Sequence, residues 1–128
     1  MEFACLEVFI TIAAEKIQPL VDFYSQLLQQ QPAINHPSIY AEFQLKTLKI
    51  GIFRPKSEHK DEFDQHHPGS ISFCLEVTSL EEAIARVSAL GCPPPGEIIQ
   101  ASHGREIYAY DPLGNRLILH QSPEEKST

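Results

Sequence analysis

Apolar and polar positions follow the same order twice along this chain. In the first half, a β-branched run over residues 6–12 predicts a β-strand. Apolar residues at helical spacing then predict a helix over residues 15–30, with Pro19 near its first turn and Pro32 after its end. The remaining strands of this half are predicted over residues 33–35, 39–45 and 47–53.

The second half repeats that order of elements. Residues 70–77 predict a strand, and a helix follows Ser79, because Glu82 three residues later completes a capping box. Gly91 is typical of the residue that ends a helix. The strands that complete this half are predicted over residues 97–101, 105–110 and 115–121.

A tight turn is predicted between the last two strands. Pro112 has its φ angle already fixed for the second turn position, and Asp111 before it can accept hydrogen bonds from the backbone ahead. Gly114 occupies the fourth turn position, where glycine is favoured. This segment therefore predicts a hairpin that closes the second half.

Taken together, the pattern predicts an α+β protein built from two βαβββ modules. Their curved mixed sheets would form a cup, with the helices on the outside. The charge-rich, apolar-poor stretch between the modules predicts a mobile linker. Within one globular domain, the predicted parts are a first module (1–54), a linker loop (55–69), a second module (70–121) and a polar tail (122–128).

Composition and charge exclude several classes of function. The chain has 128 residues, 42% hydrophobic and 21% charged, which is typical of a soluble globular protein. A net charge of −7 argues against a nucleic-acid partner and would favour a cationic ligand. The sequence shows neither a membrane-spanning run nor a signal peptide, so we expect no membrane partner and a cytoplasmic location.

The three cysteines predict reduced thiols, because they are odd in number and widely spaced. They are Cys5, Cys74 and Cys92.

Two segments within this repeat carry a resemblance to a known family. They are DFYSQLL at residues 22–28, in the first helix, and DPLGNR at residues 111–116, in the hairpin turn. With the paired modules, they make nearly the whole chain resemble the vicinal oxygen chelate superfamily, which includes glyoxalase I, bleomycin-resistance proteins and extradiol dioxygenases. The resemblance implies a cup that, in the enzymes, holds a divalent metal through His, Glu or Gln side chains of four strands.

The four metal-ligand places implied by the resemblance carry poor donors in this chain. The first falls on Phe9, or on Glu7 if the turn after the first strand is two residues longer. The other three fall on Gly51, Ser72 and Ile118. Glycine and isoleucine have no donor atom, and serine is a poor ligand for these metals. The resemblance therefore implies a member without a catalytic metal, and no cofactor is expected.

Strand periodicity predicts which side chains line the cup. Residues two apart share a face, and the alternate positions, such as Ile50, Ile52, Leu117 and Leu119, are aliphatic and suit the helix side. A lining of aromatic rings and a few ionisable groups is typical of a small-molecule site. The predicted ligand-binding residues are Glu7, Phe9, Phe53, Glu76, His103, Tyr108, Tyr110, Arg116 and His120.

Simpler roles remain open for these residues. The aromatic rings would also serve to fill the space between two sheets, and Glu76 with Arg116 would form a structural ion pair across neighbouring strands. His103 lies in a turn at the expected rim of the cup, and His120 lies near the end of a strand, where a solvated histidine is common.

Three hypotheses for function follow. The first is a homodimeric small-molecule-binding protein that holds an aromatic or cationic ligand without a catalytic metal. The alternative is a metal-dependent lyase or dioxygenase of the same superfamily, which would use Glu7 with His103 and His120. The third is an interaction module whose cup is filled by its own side chains. Motifs for nucleophilic catalysis or phosphate binding do not occur in the sequence.

Overall fold

The computed structural model describes residues 3–64 and 69–123. The chain forms two compact units, Met1–Asp64 and Gln65–Thr128. Each unit has a four-stranded mixed sheet and one α-helix, which confirms the α+β class and the duplicated βαβββ order. Residues 65–68 of the predicted linker and 124–128 of the predicted tail lie outside the described residues. None of the described helices is long and apolar enough to cross a membrane.

The first unit has its strands in the order β1-β4-β3-β2. Strand β1 pairs with β4 in parallel, whereas β4 with β3 and β3 with β2 are antiparallel. The elements are β1 (Ile10–Ala13), α1 (Gln18–Leu27), β2 (Ile34–His36), β3 (Tyr40–Gln44) and β4 (Lys49–Phe53).

The second unit repeats this topology, with the order β5-β8-β7-β6 and a parallel β5–β8 pair. Helix α2 contacts β7 and β8, so it lies against one face of its sheet. The elements are β5 (Phe73–Glu76), α2 (Leu80–Ala89), β6 (Ile99–Ala101), β7 (Gly104–Tyr110) and β8 (Arg116–Gln121).

Each sheet separates an apolar face from a polar one, as the strand periodicity predicted. Ile50 and Ile52 are buried in the first sheet, as are Leu117 and Leu119 in the second. The alternate positions form what we call the polar faces. The first polar face carries Thr11, Tyr40, Glu42, Gln44, Lys49, Gly51 and Phe53, and the second carries Cys74, Glu76, Glu106, Tyr108, Tyr110, Arg116, Ile118 and His120.

The predicted ends of α2 are confirmed. The Ser79 hydroxyl accepts a hydrogen bond of 3.2 Å from the Glu82 backbone N–H, which caps the start of the helix. Gly91 follows the helix with a φ of +89°, a conformation that favours glycine.

The predicted turn after β7 is also confirmed. Asp111 is buried, and its Oδ1 accepts hydrogen bonds from the backbone N–H groups of Leu113 (2.9 Å) and Asn115 (3.0 Å). Its Oδ2 accepts a third bond, of 2.8 Å, from the Asn115 side chain. Gly114 has a φ of +86°. Because these bonds are local in sequence, the turn could be predicted from the residues alone.

The predicted first strand and the predicted linker differ from the structure. Strand β1 begins at Ile10, which pairs with Ile50, and not at residue 6. In this parallel register, residues 6–8 would lie opposite residues 46–48, which precede β4. Glu7 and Phe9 therefore precede the strand. Part of the predicted linker forms a 3₁₀-helix over Ser57–Phe63.

Helix α1 is shorter than predicted at both ends, although Pro19 does lie in its first turn.

The 3₁₀-helix within the predicted linker contacts the first sheet through an aromatic side chain. The ring of Phe63 packs edge-on against Phe53, with centroids 5.2 Å apart.

Candidate functional site

The centre of the first polar face is a row formed by Thr11, Gly51 and Glu42 on three adjacent strands. Gly51 has no side chain, and a Cβ at this position would lie 2.9 Å from the hydroxyl oxygen of Tyr40. The Tyr40 phenol therefore occupies the space that a larger residue at position 51 would need. This close approach explains a glycine in the middle of a strand.

Glu42 is a buried carboxylate, only 7% exposed, in the middle of this face. It accepts hydrogen bonds from the Tyr40 hydroxyl (2.6 Å) and the Gln44 amide (2.7 Å). The bond from Tyr40 is the main cause that lowers the pKa of Glu42, and the positive charge of Lys49 also lowers it. Burial and the neighbouring carboxylate raise the pKa of Tyr40 to about 12. At neutral pH the site thus holds an ionised carboxylate next to a neutral phenol.

A charged and aromatic cluster lies beside β1 on the same unit. The Lys49 ammonium is 2.9 Å from a carboxylate oxygen of Glu7 and 4.7 Å from the centroid of the Phe9 ring. The hydrogen bond to Glu7 is the main cause that raises the pKa of Lys49. The structure thus brings the predicted residues Glu7 and Phe9 together, whereas Phe53 packs against Phe63.

The second polar face has a row of its own, formed by Glu106, His120 and Glu76 on β7, β8 and β5. His120 Nδ1 lies 2.5 Å from a carboxylate oxygen of Glu76, and the other oxygen accepts two hydrogen bonds from Ser122. The Ser122 hydroxyl, followed by His120, lowers the pKa of Glu76. His103 Nδ1 is 2.9 Å from His120 Nε2. The predicted residues Glu76, His103 and His120 therefore form one cluster.

The expected ion pair between Glu76 and Arg116 is wrong. Arg116 donates instead to the backbone carbonyl of Gly69 (2.8 Å) and to the hydroxyl of Ser72 (3.1 Å). These partners lie before β5, which begins at Phe73, whereas Glu76 is the last residue of that strand. Glu76 bonds to His120 and Ser122 instead.

Tyr108 and Tyr110 lie on the second polar face, as predicted. Ile107 and Ala109, which alternate with them along β7, are buried on the other side. The Tyr108 side chain is 42% exposed. Both rings are therefore placed where a ligand of this face would meet them, and their role in binding stays a prediction.

Sequence reasoning missed important residues on both faces. The sequence places Glu42, with Glu7, Glu76 and His120, among the groups able to transfer protons, but neither Glu42 nor Tyr40 is among the predicted ligand-binding residues. Glu106 was also missed, although it lies two residues before Tyr108 and therefore shares its face. Its carboxylate is 3.6 Å from His103 Nε2.

The residues at the four metal-ligand places of the superfamily do not fit a metal ion. Phe9 lies under the Lys49 ammonium, and the space beside Gly51 holds the Tyr40 hydroxyl. Ser72 accepts a hydrogen bond from Arg116, and Ile118 has no donor atom. Of the residues in the alternative hypothesis, His103 and His120 come together. The carboxylates beside them are Glu76 and Glu106, whereas Glu7 is paired with Lys49.

A groove of about 780 Å³ lies elsewhere on the first unit. It contains none of the predicted ligand-binding residues. Its lining combines basic and acidic side chains with the exposed ring of Phe63; the charged members are Glu15, Arg54, Lys56, Glu58, Lys60 and Asp64.

Comparisons with known proteins agree with this architecture. A glyoxalase-related enzyme from Fulvimarina pelagi is 18% identical, with a TM-score of 0.75 over 93% of this chain and 90% of that one. The chain has the glyoxalase and bleomycin-resistance fold. This confirms, at the level of the fold, the resemblance to the vicinal oxygen chelate superfamily.

Other solved structures with this fold carry related names. A glyoxalase/bleomycin resistance protein from Catenulispora acidiphila is 19% identical, with a TM-score of 0.65 over 93% of this chain and 100% of that one. A mutant fosfomycin resistance protein from Listeria monocytogenes, in complex with Mn(II) and dihydroxypropylphosphonic acid, is 21% identical, with a TM-score of 0.69 over 91% of this chain and 90% of that one. Searches with protein-family models and against curated proteins found no match.

Proposed function

We propose that this chain is a small-molecule-binding protein, and that its first polar face holds the ligand without a metal ion at the superfamily's ligand places. The observation that carries the proposal is Glu42, a buried and ionised carboxylate placed away from the apolar core. A carboxylate has about four lone-pair sites, and side-chain donors occupy two of them. Glu42 therefore retains acceptor capacity for a donor group of a ligand.

The surroundings of Glu42 favour a ligand with a cationic or amide donor and an apolar body. The ring of Phe53 lies next to Tyr40 in the register of the sheet, and the net charge of −7 attracts cations over a longer range. Lys49 is already paired with Glu7, so its charge is partly compensated. An aromatic amine combines these features.

The second polar face is proposed separately, as a further ligand-binding surface of its own unit. Tyr108, Tyr110 and Arg116 are its ligand-binding candidates. The fosfomycin resistance protein holds Mn(II) together with its phosphonic acid. In this chain, the donor-poor residues at Gly51, Ser72 and Ile118 support binding without that metal. We also propose that the chain forms a cytoplasmic homodimer. Light scattering after size-exclusion chromatography would measure the number of subunits.

A thermal-shift screen of aromatic amines, glycopeptides and metabolites in the presence of EDTA tests the binding function. We expect hits whose affinity, measured by titration calorimetry, falls about tenfold or more in Glu42→Gln, because a charge-assisted hydrogen bond is lost. Phe53→Ala, on the same face as Glu42, should also weaken binding. Matched controls are Glu62→Gln, which changes an exposed carboxylate of the 3₁₀-helix, and Phe3→Ala, which changes an exposed ring before β1. Unchanged affinity for every hit in Glu42→Gln would contradict the proposal, as would ligands that bind only when EDTA is left out of the screen.

A further inference from the structure

The second polar face carries a cluster of metal-binding side chains that does not coincide with the superfamily's ligand places. His103, Glu106 and His120 each offer one ligand atom, and these atoms all lie within 4.8 Å of one another. The superfamily place on β8 falls on Ile118, two residues before His120. The cluster is built within one unit, on β7, β8 and the turn before β7.

The turn before β7 places His103 over the sheet. It joins β6 to β7 through residues 102–103, and Gly104 then has a φ of +131°. A Cβ at Gly104 would clash with the backbone carbonyl of Gln121 and would lie 3.1 Å from His120 Nε2. Glycine thus lets the backbone pass close to His120, and the two imidazole rings stack with centroids 5.0 Å apart.

His120 is oriented as metal-binding histidines are. Its Nδ1 faces Glu76 at 2.5 Å, and Ser122 fixes that carboxylate with hydrogen bonds of 2.8 Å from its N–H and 2.6 Å from its hydroxyl. A carboxylate on one ring nitrogen directs the other towards the metal and increases its basicity. The other nitrogen, Nε2, faces His103. This supporting carboxylate is a separate observation from the proximity of the three ligands.

We propose that His103, Glu106 and His120 bind one divalent transition-metal ion of the Zn²⁺ class, and that Glu76 positions His120 for it. Two imidazoles and a carboxylate are a ligand set that such ions accept. Three protein ligands leave one position of a tetrahedral ion open. Solvent can reach that position, because the His103 side chain is 63% exposed. The inference goes beyond the proposed function and does not depend on Glu42.

Titration calorimetry of the full chain with Zn²⁺, after removal of metals with EDTA, tests this site. We expect saturable binding of one ion per chain. Affinity should fall at least tenfold in His103→Ala, Glu106→Gln and His120→Ala, and about 10- to 100-fold in Glu76→Gln. Circular dichroism should show an unchanged fold for His103→Ala, because that residue lies in an exposed turn.

Matched controls separate this site from other donors. Glu7→Ala removes the carboxylate of the alternative hypothesis, and His59→Ala removes an exposed histidine of the 3₁₀-helix. A double substitution of His66 and His67 by Ala removes the adjacent histidine pair of the sequence. All three should bind Zn²⁺ as the native chain does. Absence of saturable binding would overturn the proposal. So would an affinity of His103→Ala or His120→Ala equal to that of the native chain, or loss of binding in any control.

Discussion

Tyr40 donates a hydrogen bond of 2.6 Å to the buried carboxylate of Glu42, two residues away on the same face of β3. The bond joins the two titratable groups at the centre of the first polar face. Lys49 on β4 adds a positive charge, and Gln44 adds a second donor. These neighbours favour the ionised form of Glu42 in the folded chain.

The lowered pKa of Glu42 predicts a specific loss of stability in acid. Above its ordinary value of 4.5, the carboxyl is ionised in both the folded and the unfolded chain, so its stabilising contribution is complete. As the pH falls through the folded pKa, that contribution is lost. Melting temperatures between about pH 6 and about pH 3 should therefore drop less steeply in Glu42→Gln than in the native chain. Glu62→Gln is the control, and an acid slope in Glu42→Gln equal to that of the native chain would count against the ionised carboxylate.

The contact between Gly51 and Tyr40 predicts a non-additive pair of substitutions. Gly51→Ala should lower the free energy of unfolding by about 1 to 2 kcal/mol, because the new methyl group displaces the Tyr40 hydroxyl from Glu42. Tyr40→Phe removes the nearest atom, so Gly51→Ala should cost less in that background. Urea unfolding of the two single variants and the double variant measures the coupling. Strict additivity would show that the two residues do not compete for this space.

Substitution of the single turn residue Asp111 should cause a large loss of stability. Its side chain accepts three hydrogen bonds while buried, so Asp111→Ala leaves donors of Leu113 and Asn115 without that partner. The free energy of unfolding should fall by about 2 kcal/mol or more. Asp111→Asn keeps one side-chain oxygen and should cost less. Equal stability of Asp111→Ala and the native chain in urea would contradict the structure of this turn.

Substitution of Gly104 and of Gly114 would separate the cost of backbone strain from the cost of a steric clash. Both have positive φ, but a Cβ at Gly104 meets the Gln121 carbonyl, whereas a Cβ at Gly114 meets no heavy atom within 4 Å. Gly114→Ala should cost about 1 kcal/mol and Gly104→Ala about 3 kcal/mol or more. Thermal unfolding of both variants makes the comparison. A smaller loss for Gly104→Ala than for Gly114→Ala would contradict the close approach of β7 to β8.

Elements with local signals could be predicted from the sequence. The cap at Ser79 and the turn at Asp111 depend on hydrogen bonds within three or four residues, and both are confirmed. Strand periodicity also separated the two faces correctly, since Leu117 and Leu119 are buried while their neighbours are not. The start of β1 could not be predicted, because it depends on where its distant partner β4 begins.

The candidate sites needed distances that sequence patterns do not contain. Periodicity can place Glu42 on the polar face, but its burial and bonds depend on how the Tyr40 ring fills the space beside Gly51. Likewise, His103 reaches His120 only because the turn at Gly104 brings two strands close together. Such contacts depend on tertiary packing, which single residues do not encode locally.

The most direct test of the binding account is a crystal structure of the chain purified from untreated cell extract, with anomalous scattering data recorded at transition-metal edges. The account predicts an organic molecule hydrogen-bonded to Glu42, and no metal ion coordinated at Phe9, Gly51, Ser72 or Ile118. A metal ion held at those places, with Glu7 among its ligands, would contradict it.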